Sequence, residues 1–333
     1  MSALVDDVVA GDRRALGRAI TLVESTRADH RTDAVELLQA VLPHTGTGIR
    51  LGVSGAPGVG KSTFIDAFGC HVIDQGNTLA VLAVDPSSGR SGGSILGDKT
   101  RMEELARRPE AFIRPSPAGR TLGGVARRTR EAMLLCEAAG YDAVLVETVG
   151  VGQSETAVAE MVDLFCLLAG PGAGDDLQGV KRGVMELAEL LVVTKADGDL
   201  EPAAKRASAD LKHALQLLRP VHHAWSPRVL LTSAHTGTGL AEVWDAVVEH
   251  RRALEESGEL QTMRGEQARQ WLWTELREGL VERFVAQAGE AVRSAELDVV
   301  AGRQLPTIAA DRLLDGPPEE SGSGHGTRSP GVP

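Results

Sequence analysis

The sequence predicts an α/β fold in which a mostly parallel sheet is flanked by helices. Short apolar runs of strand type alternate with helical stretches over residues 47–254, an alternation that favours parallel strands joined by crossover helices. A glycine-rich loop follows the first run, and polar or acidic residues follow later ones. Ligands of open α/β sheets bind at the carboxyl ends of the strands, so these residues predict a ligand site at one edge of the sheet.

The glycine-rich loop carries the most specific motif. Residues 55–63 read Gly-Ala-Pro-Gly-Val-Gly-Lys-Ser-Thr and fit the phosphate-binding P-loop, G-x-x-x-x-G-K-S/T. The glycines let backbone N–H groups approach phosphate oxygens, Lys61 places a cation on the β- and γ-phosphates, and Ser62 offers a hydroxyl to Mg²⁺. Residues 49–53 predict the preceding strand, and residues 63–75 predict a helix whose N-terminus faces the phosphates. The predicted fold is therefore that of P-loop NTPases, with nucleotide contacts from Gly55, Ala56, Pro57, Gly58, Val59, Gly60, Lys61, Ser62 and Thr63.

Composition narrows the class of protein. Of the 333 residues 42% are hydrophobic and only 3% are aromatic, so Leu, Val and Ala are expected to fill a sizeable core. A net charge of −11 without a long basic run argues against a nucleic-acid partner. The N-terminus shows no basic-then-apolar signal segment, and no apolar run reaches the roughly 18 residues of a membrane span. We therefore expect a cytoplasmic protein without a membrane partner.

Helical spacing dominates the chain before the P-loop. Apolar residues recur at helical intervals in three stretches, residues 4–10, 12–24 and 33–42. The arginines of the second stretch surround its apolar face and are expected to be solvated. Gly and Thr residues at 45–48 mark a boundary, so residues 1–46 are predicted to form an N-terminal helical segment and residues 47–254 the nucleotide domain.

Acidic residues follow the second and third predicted strands of this domain. Residues 79–84 form an apolar run that ends at Asp85, and residues 141–146 form another that ends at Glu147. Glu147 occupies the Walker-B position, whose acid binds Mg²⁺ or its water ligands. Asp98 ends a Gly- and Ser-rich stretch. There it is either part of a switch that senses the γ-phosphate or the N-cap of the helix predicted for residues 99–107.

Two motifs at the ends of later strands indicate guanine. Residues 190–193 are followed by Thr194-Lys195-Ala196-Asp197, one residue away from N-K-x-D. The Asp of that motif accepts hydrogen bonds from N1–H and the exocyclic amine of guanine, a donor pair that adenine lacks, and the Lys stem lies over the ring. Residues 228–231 precede Ser-Ala-His, the form of loop whose backbone N–H meets guanine O6. The predicted base contacts are Lys195, Asp197, Ser233, Ala234 and His235.

The pattern changes beyond residue 254. The intervening helices of the nucleotide domain are predicted for residues 127–139, 181–189, 201–218 and 240–254, with a further strand at 161–168. Residues 267–292 then predict a long helix with an apolar stripe that includes Leu272, Leu276, Leu280 and Phe284. Either the nucleotide domain or a second subunit must cover this stripe, and pairing is favoured because the helix is long and terminal. Residues 255–314 are thus predicted to form a dimerisation arm, and the Gly-, Pro- and Ser-rich residues 315–333 a disordered tail.

Several stretches together carry a family resemblance. They are residues 55–63, 83–88 (Ala-Val-Asp-Pro-Ser-Ser), 92–102, 147–155 and 172–183. Over residues 4–314 the chain resembles the MeaB/ArgK family of P-loop GTPases, chaperones of cobalamin-dependent methylmalonyl-CoA mutase. Thr194 stands where Asn is usual in this family, and Asp176 stands where Glu is common.

The resemblance implies an activity, cofactors and partners. It implies a homodimer built by the C-terminal helices, with one GTP/GDP site per subunit and Mg²⁺ near Ser62, Asp85, Asp98 and Glu147. Residues 89–102 and 149–155 would be two switches, and residues 172–181 a third that contacts the mutase. Hydrolysis in such proteins is slow alone and is accelerated by the mutase. The GTP state gates adenosylcobalamin loading, and the chaperone protects or reactivates the mutase.

These expectations define a catalytic hypothesis. Lys61, the P-loop amides and Mg²⁺ stabilise charge on the transferring phosphoryl group, and Glu147 orients the attacking water or a metal-bound water. The mutase swings Gln178 and Lys181 inward to complete the site. The alternative that both side chains only touch the partner or solvent stays open.

Three other functions are weighed against this hypothesis. A nickel-delivery GTPase needs paired Cys and His ligands, whereas the three cysteines are scattered in apolar surroundings as buried thiols, and His222 and His223 stand alone beside Trp225. A transport-associated kinase or ATPase needs a protein-substrate site that no feature marks. A scaffold that binds nucleotide without hydrolysing it conflicts with the intact set of Lys61, Ser62, Asp85 and Glu147.

Overall fold

The computed structural model describes residues 1–25, 27–84, 102–115, 122–148, 154–172 and 182–316. The chain divides into two compact units, Met1–Arg269 and Gln270–Pro333. Within the described ranges, no helix offers the length and hydrophobicity that spanning a bilayer requires.

The first unit is built on a parallel sheet of seven described strands. They are β1 (Ile49–Gly55), β2 (Leu79–Val84), β3 (Ala111–Arg114), β4 (Ala143–Thr148), β5 (Leu164–Ala169), β6 (Leu190–Val193) and β7 (Arg228–Leu231). Their order is β3-β2-β4-β1-β5-β6-β7, and all neighbouring pairs are parallel. The chain moves to opposite sides of β1 before and after β4, which makes the carboxyl end of β1 the switch point where such sheets bind ligands. The predicted α/β fold is confirmed.

Twelve α-helices are seen in the described residues. They are α1 (Ser2–Val9), α2 (Arg13–Glu24), α3 (Ala28–Val41), α4 (Lys61–Asp74), α5 (Glu103–Arg107), α6 (Leu122–Ala138), α7 (Ser154–Ala159), α8 (Arg182–Met185), α9 (Glu201–Leu215), α10 (Leu240–Ser257), α11 (Glu259–Val300) and α12 (Pro306–Asp315). Short 3-10 helices at Leu42–His44 and Gly198–Leu200 precede β1 and α9, respectively.

Two apolar layers hold the sheet between helices. On one face the N-terminal helices and α6 contribute fully buried side chains such as Leu16 and Leu135. On the other face α4 and α10 contribute Phe64, Phe68 and Trp244, with the two Phe rings stacked at 5.3 Å between centroids. Burial of large side chains on both faces explains why the central strands read as continuous apolar runs.

All six predicted strands are present, three of them with the predicted bounds, and one further strand was not predicted. Strand β1 extends two residues past the predicted 49–53, and β4 covers Ala143–Thr148 and not 141–146, so Glu147 lies inside the strand and not after it. The bounds of β2, β6 and β7 are as predicted, whereas the strand expected at 161–168 begins only at Leu164. Asp163, just before it, accepts a hydrogen bond from the backbone N–H of Arg50, which fixes the entry into β5. Strand β3 was not predicted because its four residues lie between Pro109 and Pro115 and are too few to show a period.

Helix α11, which contains the long helix predicted for residues 267–292, is longer than predicted. It starts at Glu259 directly after Gly258, which has φ 76°, and continues to Val300 with one non-helical residue, Ala288, at φ −104° and ψ 19°. Residues 259–266 carry few apolar side chains, so their helical pattern is weak in the sequence. The division between the two compact units falls within this helix.

A buried acid anchors the first turns of this helix. Asp163 is 2% exposed and pairs with Arg264 at 2.6 Å and with Arg251 at 3.2 Å. Arg264 also donates to the carbonyl oxygens of Gly46 and Gly48. This network ties α10 and the start of α11 to the amino-terminal edge of the sheet, opposite the edge at which the sequence motifs lie.

Candidate functional site

The sequence motifs converge at the carboxyl edge of the sheet. The P-loop connects β1 to α4, and Glu147 is the penultimate residue of β4, which pairs directly with β1. Strands β6 and β7 pair with each other, and the loops that follow them begin at Thr194 and Thr232 on the same edge of the sheet. Because the strands are parallel and in register, residues far apart in sequence meet along one edge.

The P-loop has a backbone that its glycines make possible. Gly58 and Gly60 have φ values of 81° and 97°, which favour glycine. A Cβ on Gly55 would lie 2.7 Å from the backbone oxygen of Leu168, so no side chain fits there. Gly60 is the N-cap of α4, so the helix begins at Lys61 and directs its first N–H groups toward the loop. This geometry forms an anion-binding cradle.

Lys61 lies inside this cradle. Its Nζ donates to the carbonyl oxygen of Gly55 at 2.7 Å. Burial lowers the pKa of Lys61, and the nearby carboxylates of Glu147 and Glu155 raise it. The ammonium is therefore placed to neutralise the oxygens of a bound phosphate chain.

Two oxygen donors near Lys61 suit a magnesium ion. Ser62 is the second residue of α4 and is half-buried. Glu147 is 9% exposed, and the hydroxyl of Thr148 beside it donates to Ser54 of β1 at 2.7 Å. Hydroxyl and carboxylate oxygens are ligands that Mg²⁺ prefers. The residues present therefore fit the ion, and the other predicted positions, Asp85, Asp98, Gln178 and Lys181, lie outside the described residues.

A cavity of about 390 Å³ adjoins the P-loop and contains the guanine motif. Asp197 is half-buried there, and its carboxylate has no hydrogen-bond partner in the described part of the chain, so it is open to a ligand. The volume falls in the range of small-molecule sites. The lining residues are Val59, Gly60, Thr63, Phe64, Thr194, Lys195, Asp197, Asp199, Leu200, Thr232, Ser233, Ala234 and His235.

Lys195 joins the base loop to the P-loop. Its backbone has φ 57°, an uncommon value for a residue other than glycine, and its Nζ donates to the carbonyl oxygen of Gly58 at 2.8 Å. The side chain runs past Gly60, where a Cβ would lie 3.6 Å from its Cε. The aliphatic stem therefore lies along one wall of the cavity, and its role over the base ring stays a prediction.

The loop after β7 is tied to the same cavity. The N–H of Ala196 donates to the carbonyl oxygen of Thr232 at 2.9 Å, which links the two base loops. Ser233 is 1% exposed and accepts a hydrogen bond from the N–H of Thr236 at 3.2 Å. Gly239 closes the loop at φ 80°, where a Cβ would lie within 1.9 Å of the backbone oxygen of Leu231. Ala234 and His235 are thereby held at the cavity wall.

Thr194 supplies a connection that the motif alone did not reveal. Its hydroxyl donates to the carbonyl oxygen of Val59 at 2.7 Å and lies 3.2 Å from that of Ala169, and the residue is 5% exposed. The sequence marked Thr194 only as a departure from Asn. In the structure, its short side chain fastens the base loop to the P-loop.

Replacing Thr194 by Val tests this connection, because Val keeps the shape but removes the donor. We expect the free energy of unfolding to fall by about 1–3 kcal/mol, since the Val59 carbonyl loses a buried partner, and GDP affinity to fall with it. Denaturant titration and GDP calorimetry measure both. Thr262→Val is the matched control, because the Thr262 hydroxyl also bonds a carbonyl but is exposed. Wild-type stability and affinity in Thr194→Val would contradict the assignment.

The cysteine prediction is confirmed for two of three residues, and a histidine prediction is wrong. Cys136 and Cys166 are buried free thiols, whereas Cys70 is only partly buried. The prediction that His222 stands apart from other ligands fails, because the fold places it beside Glu189 and His250. These residues come from separate loops and helices, so no local spacing indicated their contact.

Fold and cavity together define a class of protein. A P-loop at the switch point of a parallel sheet, an acid on the adjacent strand and an Asp-containing base pocket are the parts of a P-loop GTPase. The comparison with known proteins supports the same class and narrows it.

The chain belongs to the MeaB family. The family model described as methylmalonyl Co-A mutase-associated GTPase MeaB matches residues 16–289. The chain is 51% identical over 315 residues to GTPase ArgK of Escherichia coli, covering 92% of this chain and 95% of that protein. It is 49% identical over 323 residues to the mouse methylmalonic aciduria type A homolog, mitochondrial, covering 93% of this chain and 78% of that protein.

A solved structure shares the fold over nearly the full length. It is described as a LAO/AO transport system kinase and aligns with a TM-score of 0.75 at 40% identity, covering 94% of this chain and 96% of that one. Since its family is one of GTPases, the chain is an enzyme that binds guanine nucleotide and hydrolyses GTP.

Proposed function

We propose that this GTPase is a cytoplasmic chaperone of a cobalamin-dependent acyl-CoA mutase, with methylmalonyl-CoA mutase as the partner. It gates adenosylcobalamin loading and protects or reactivates the mutase. The observation that carries the proposal is the family match over residues 16–289, whose description names the mutase. The mouse relative, named for methylmalonic aciduria, supports the same partner.

The nucleotide centre provides the switch that this role needs. The P-loop and Lys61 hold the phosphates, and Asp197 selects guanine. Oxygen atoms of Ser62, Asp85, Asp98 and Glu147 would hold Mg²⁺, and the ion would neutralise charge on the phosphates. Residues 89–102 and 149–155 come after β2 and β4 in the chain, and in this proposal they are the two switches that respond to the γ-phosphate.

Hydrolysis depends on residues of this chain and on the partner. In this proposal Glu147 orients the attacking water. Its carboxylate is close enough to Lys61 to raise the pKa of that ammonium against the effect of burial, so it lies near the phosphate cradle. Gln178 and Lys181 in the third loop complete the site when the mutase binds. Preorganised charge near the transferring phosphoryl group is the largest catalytic contribution available to such a site.

The chain works as a homodimer through residues 255–314. The second compact unit exposes a row of large apolar side chains on α11, and single monomers rarely leave so many uncovered. A second copy covers them in this proposal. The exposed side chains are Leu272, Trp273, Leu276, Leu280, Val281 and Val285.

The test is GTP turnover with and without candidate mutases. We expect purified methylmalonyl-CoA mutase to accelerate turnover and to co-purify in a nucleotide-dependent manner. Isobutyryl- and ethylmalonyl-CoA mutases serve as comparison partners. Gln178→Ala and Lys181→Ala should each lower the stimulated rate, whereas Lys205→Ala, an exposed lysine on α9, should not. If no mutase changes turnover or co-purifies, the chaperone role fails. If stimulation is unchanged in both loop variants, only their catalytic role fails.

A further inference from the structure

A second cluster of ligand-type side chains lies away from the nucleotide centre. Glu189 immediately precedes β6, so it lies at the amino end of the strand whose carboxyl end leads to Thr194 and the base pocket. His222 comes from the segment between α9 and β7, and His250 from α10. The cluster is therefore at the opposite edge of the sheet from the phosphate and guanine sites.

The three side chains are close and buried. Oε1 of Glu189 lies 3.0 Å from Nε2 of His250 and 3.2 Å from Nε2 of His222, and the three atoms lie within 4.8 Å of one another. The side chains of Glu189, His222 and His250 are 6%, 10% and 1% exposed. A carboxylate and two imidazoles at these separations could all reach one ion.

One ligand atom is left without a hydrogen bond. Nε2 of His222 is buried and, despite its closeness to Glu189, is not aligned for a hydrogen bond with any described residue. Its other nitrogen, Nδ1, lies 3.5 Å from Oε2 of Glu259. A carboxylate on the opposite side of the ring from the ligand atom is the usual arrangement around metal-binding histidines.

The surrounding groups fix the cluster in place. The Glu259 carboxylate accepts hydrogen bonds from the backbone N–H groups of His223 and Ala224 at 2.9 and 3.0 Å, which orients the segment that carries His222. The other carboxylate oxygen of Glu189 lies 3.3 Å from the N–H of Phe165, which donates to it. Oε1 is thereby directed to the histidines.

Trp225 packs against the cluster and contacts both Glu189 and His250. Its Nε1 donates to the backbone oxygen of Glu189 at 3.1 Å, and its ring meets the ring of His250 edge to face, with centroids 5.1 Å apart. An apolar wall next to polar ligands excludes water and strengthens electrostatic attraction to a cation.

We propose that Glu189, His222 and His250 bind one Zn²⁺ ion. Two imidazole nitrogens and one carboxylate oxygen form a set typical of zinc, whose bonds to such atoms are about 2.0–2.2 Å. Ligand atoms on a tetrahedral ion with those bonds lie about 3.3 Å apart, close to the two separations that involve Oε1. Mg²⁺ prefers oxygen ligands alone and does not suit two imidazoles.

The bound ion has a structural role in this proposal. It joins the start of β6, the segment before β7 and α10, and so reinforces the contacts that Trp225 already makes with Glu189 and His250. Because His222 is the most exposed of the ligands, a water molecule completes the coordination from its side. No step of GTP hydrolysis involves the ion.

Calorimetry with zinc chloride tests the site. The full chain, without an affinity tag, is stripped with EDTA, dialysed and saturated with GDP and Mg²⁺, so that the nucleotide centre is occupied. We expect one Zn²⁺ per chain, a higher melting temperature with zinc, and Co²⁺ absorption bands typical of tetrahedral sites. His222→Gln and Glu189→Gln should each weaken zinc binding at least about 10-fold. His223→Gln is the matched control, because His223 is adjacent but exposed and outside the cluster.

The controls separate loss of a zinc ligand from loss of folding. Circular dichroism and GDP titration of each zinc-free variant show whether it folds and binds nucleotide, and the two variants on different elements guard against loss of folding in one. Absence of a 1:1 zinc complex in the wild-type chain would overturn the proposal. Equal zinc affinity in His222→Gln and His223→Gln would overturn it as well. Neither result depends on the mutase or on GTP turnover.

Discussion

GTP binding falls about 10²-fold or more when Asp197 is replaced by Asn, and binding of xanthosine triphosphate rises. The carboxylate accepts two hydrogen bonds from guanine, and each bond to a charged group contributes about 1.5–3 kcal/mol. Asn presents an NH₂ donor where guanine also presents a donor, so one pair becomes repulsive. Xanthine carries a carbonyl oxygen at that position and pairs with the Asn amide instead.

Competition binding with a fluorescent guanine nucleotide measures this reversal. Asp210→Asn is the control, because Asp210 is an exposed acid on α9 that does not line the cavity, and it should behave as wild type. The open carboxylate of Asp197 in the cavity is the basis of the prediction. Unchanged GTP affinity in Asp197→Asn would mean that this residue does not read the base.

Replacing Lys61 by Ala lowers kcat for GTP by about 10²–10³-fold, the usual effect of removing one preorganised donor from a charged transition state. The affinity for GTP should fall more than that for GDP, because the ammonium contacts both the β- and γ-phosphates. In the free chain its Nζ bonds the carbonyl oxygen of Gly55 at 2.7 Å, so the side chain already lies within the cradle.

Single-turnover kinetics and calorimetry separate the two effects of Lys61→Ala. Lys205→Ala removes an exposed lysine that pairs with Glu201 on α9 and should leave both measurements unchanged. A melting temperature close to that of the wild type excludes unfolding as the cause. Full turnover without Lys61 would show that phosphate charge is neutralised elsewhere.

The individual motifs of the site were predictable because each consists of a few residues that are consecutive in the sequence. The P-loop, Glu147, Asp197 and Ser233 all follow apolar runs, and a parallel sheet brings the ends of such runs to one edge. The fold class followed from the same alternation of strand and helix. Even the bounds of β2 and β6 agree with the apolar runs, because these strands are buried on both faces.

Contacts between distant segments were not predictable from local patterns. The hydrogen bond from Thr194 to Val59 joins residues 135 positions apart, and nothing near either residue signals the other. The meeting of Glu189 with His250 spans 61 positions for the same reason. Packing decides such pairs, and one sequence carries no direct record of which distant side chains pack together.

The preference of this P-loop GTPase for guanine over adenine can be measured by nucleotide binding alone. Titration calorimetry of the wild-type chain with non-hydrolysable GTP and ATP analogues, each with Mg²⁺, compares the two bases under identical conditions. We expect one site per chain and at least about 10²-fold tighter binding of the guanine analogue, since adenine leaves Asp197 without its donor pair. Equal or tighter binding of the ATP analogue would contradict it.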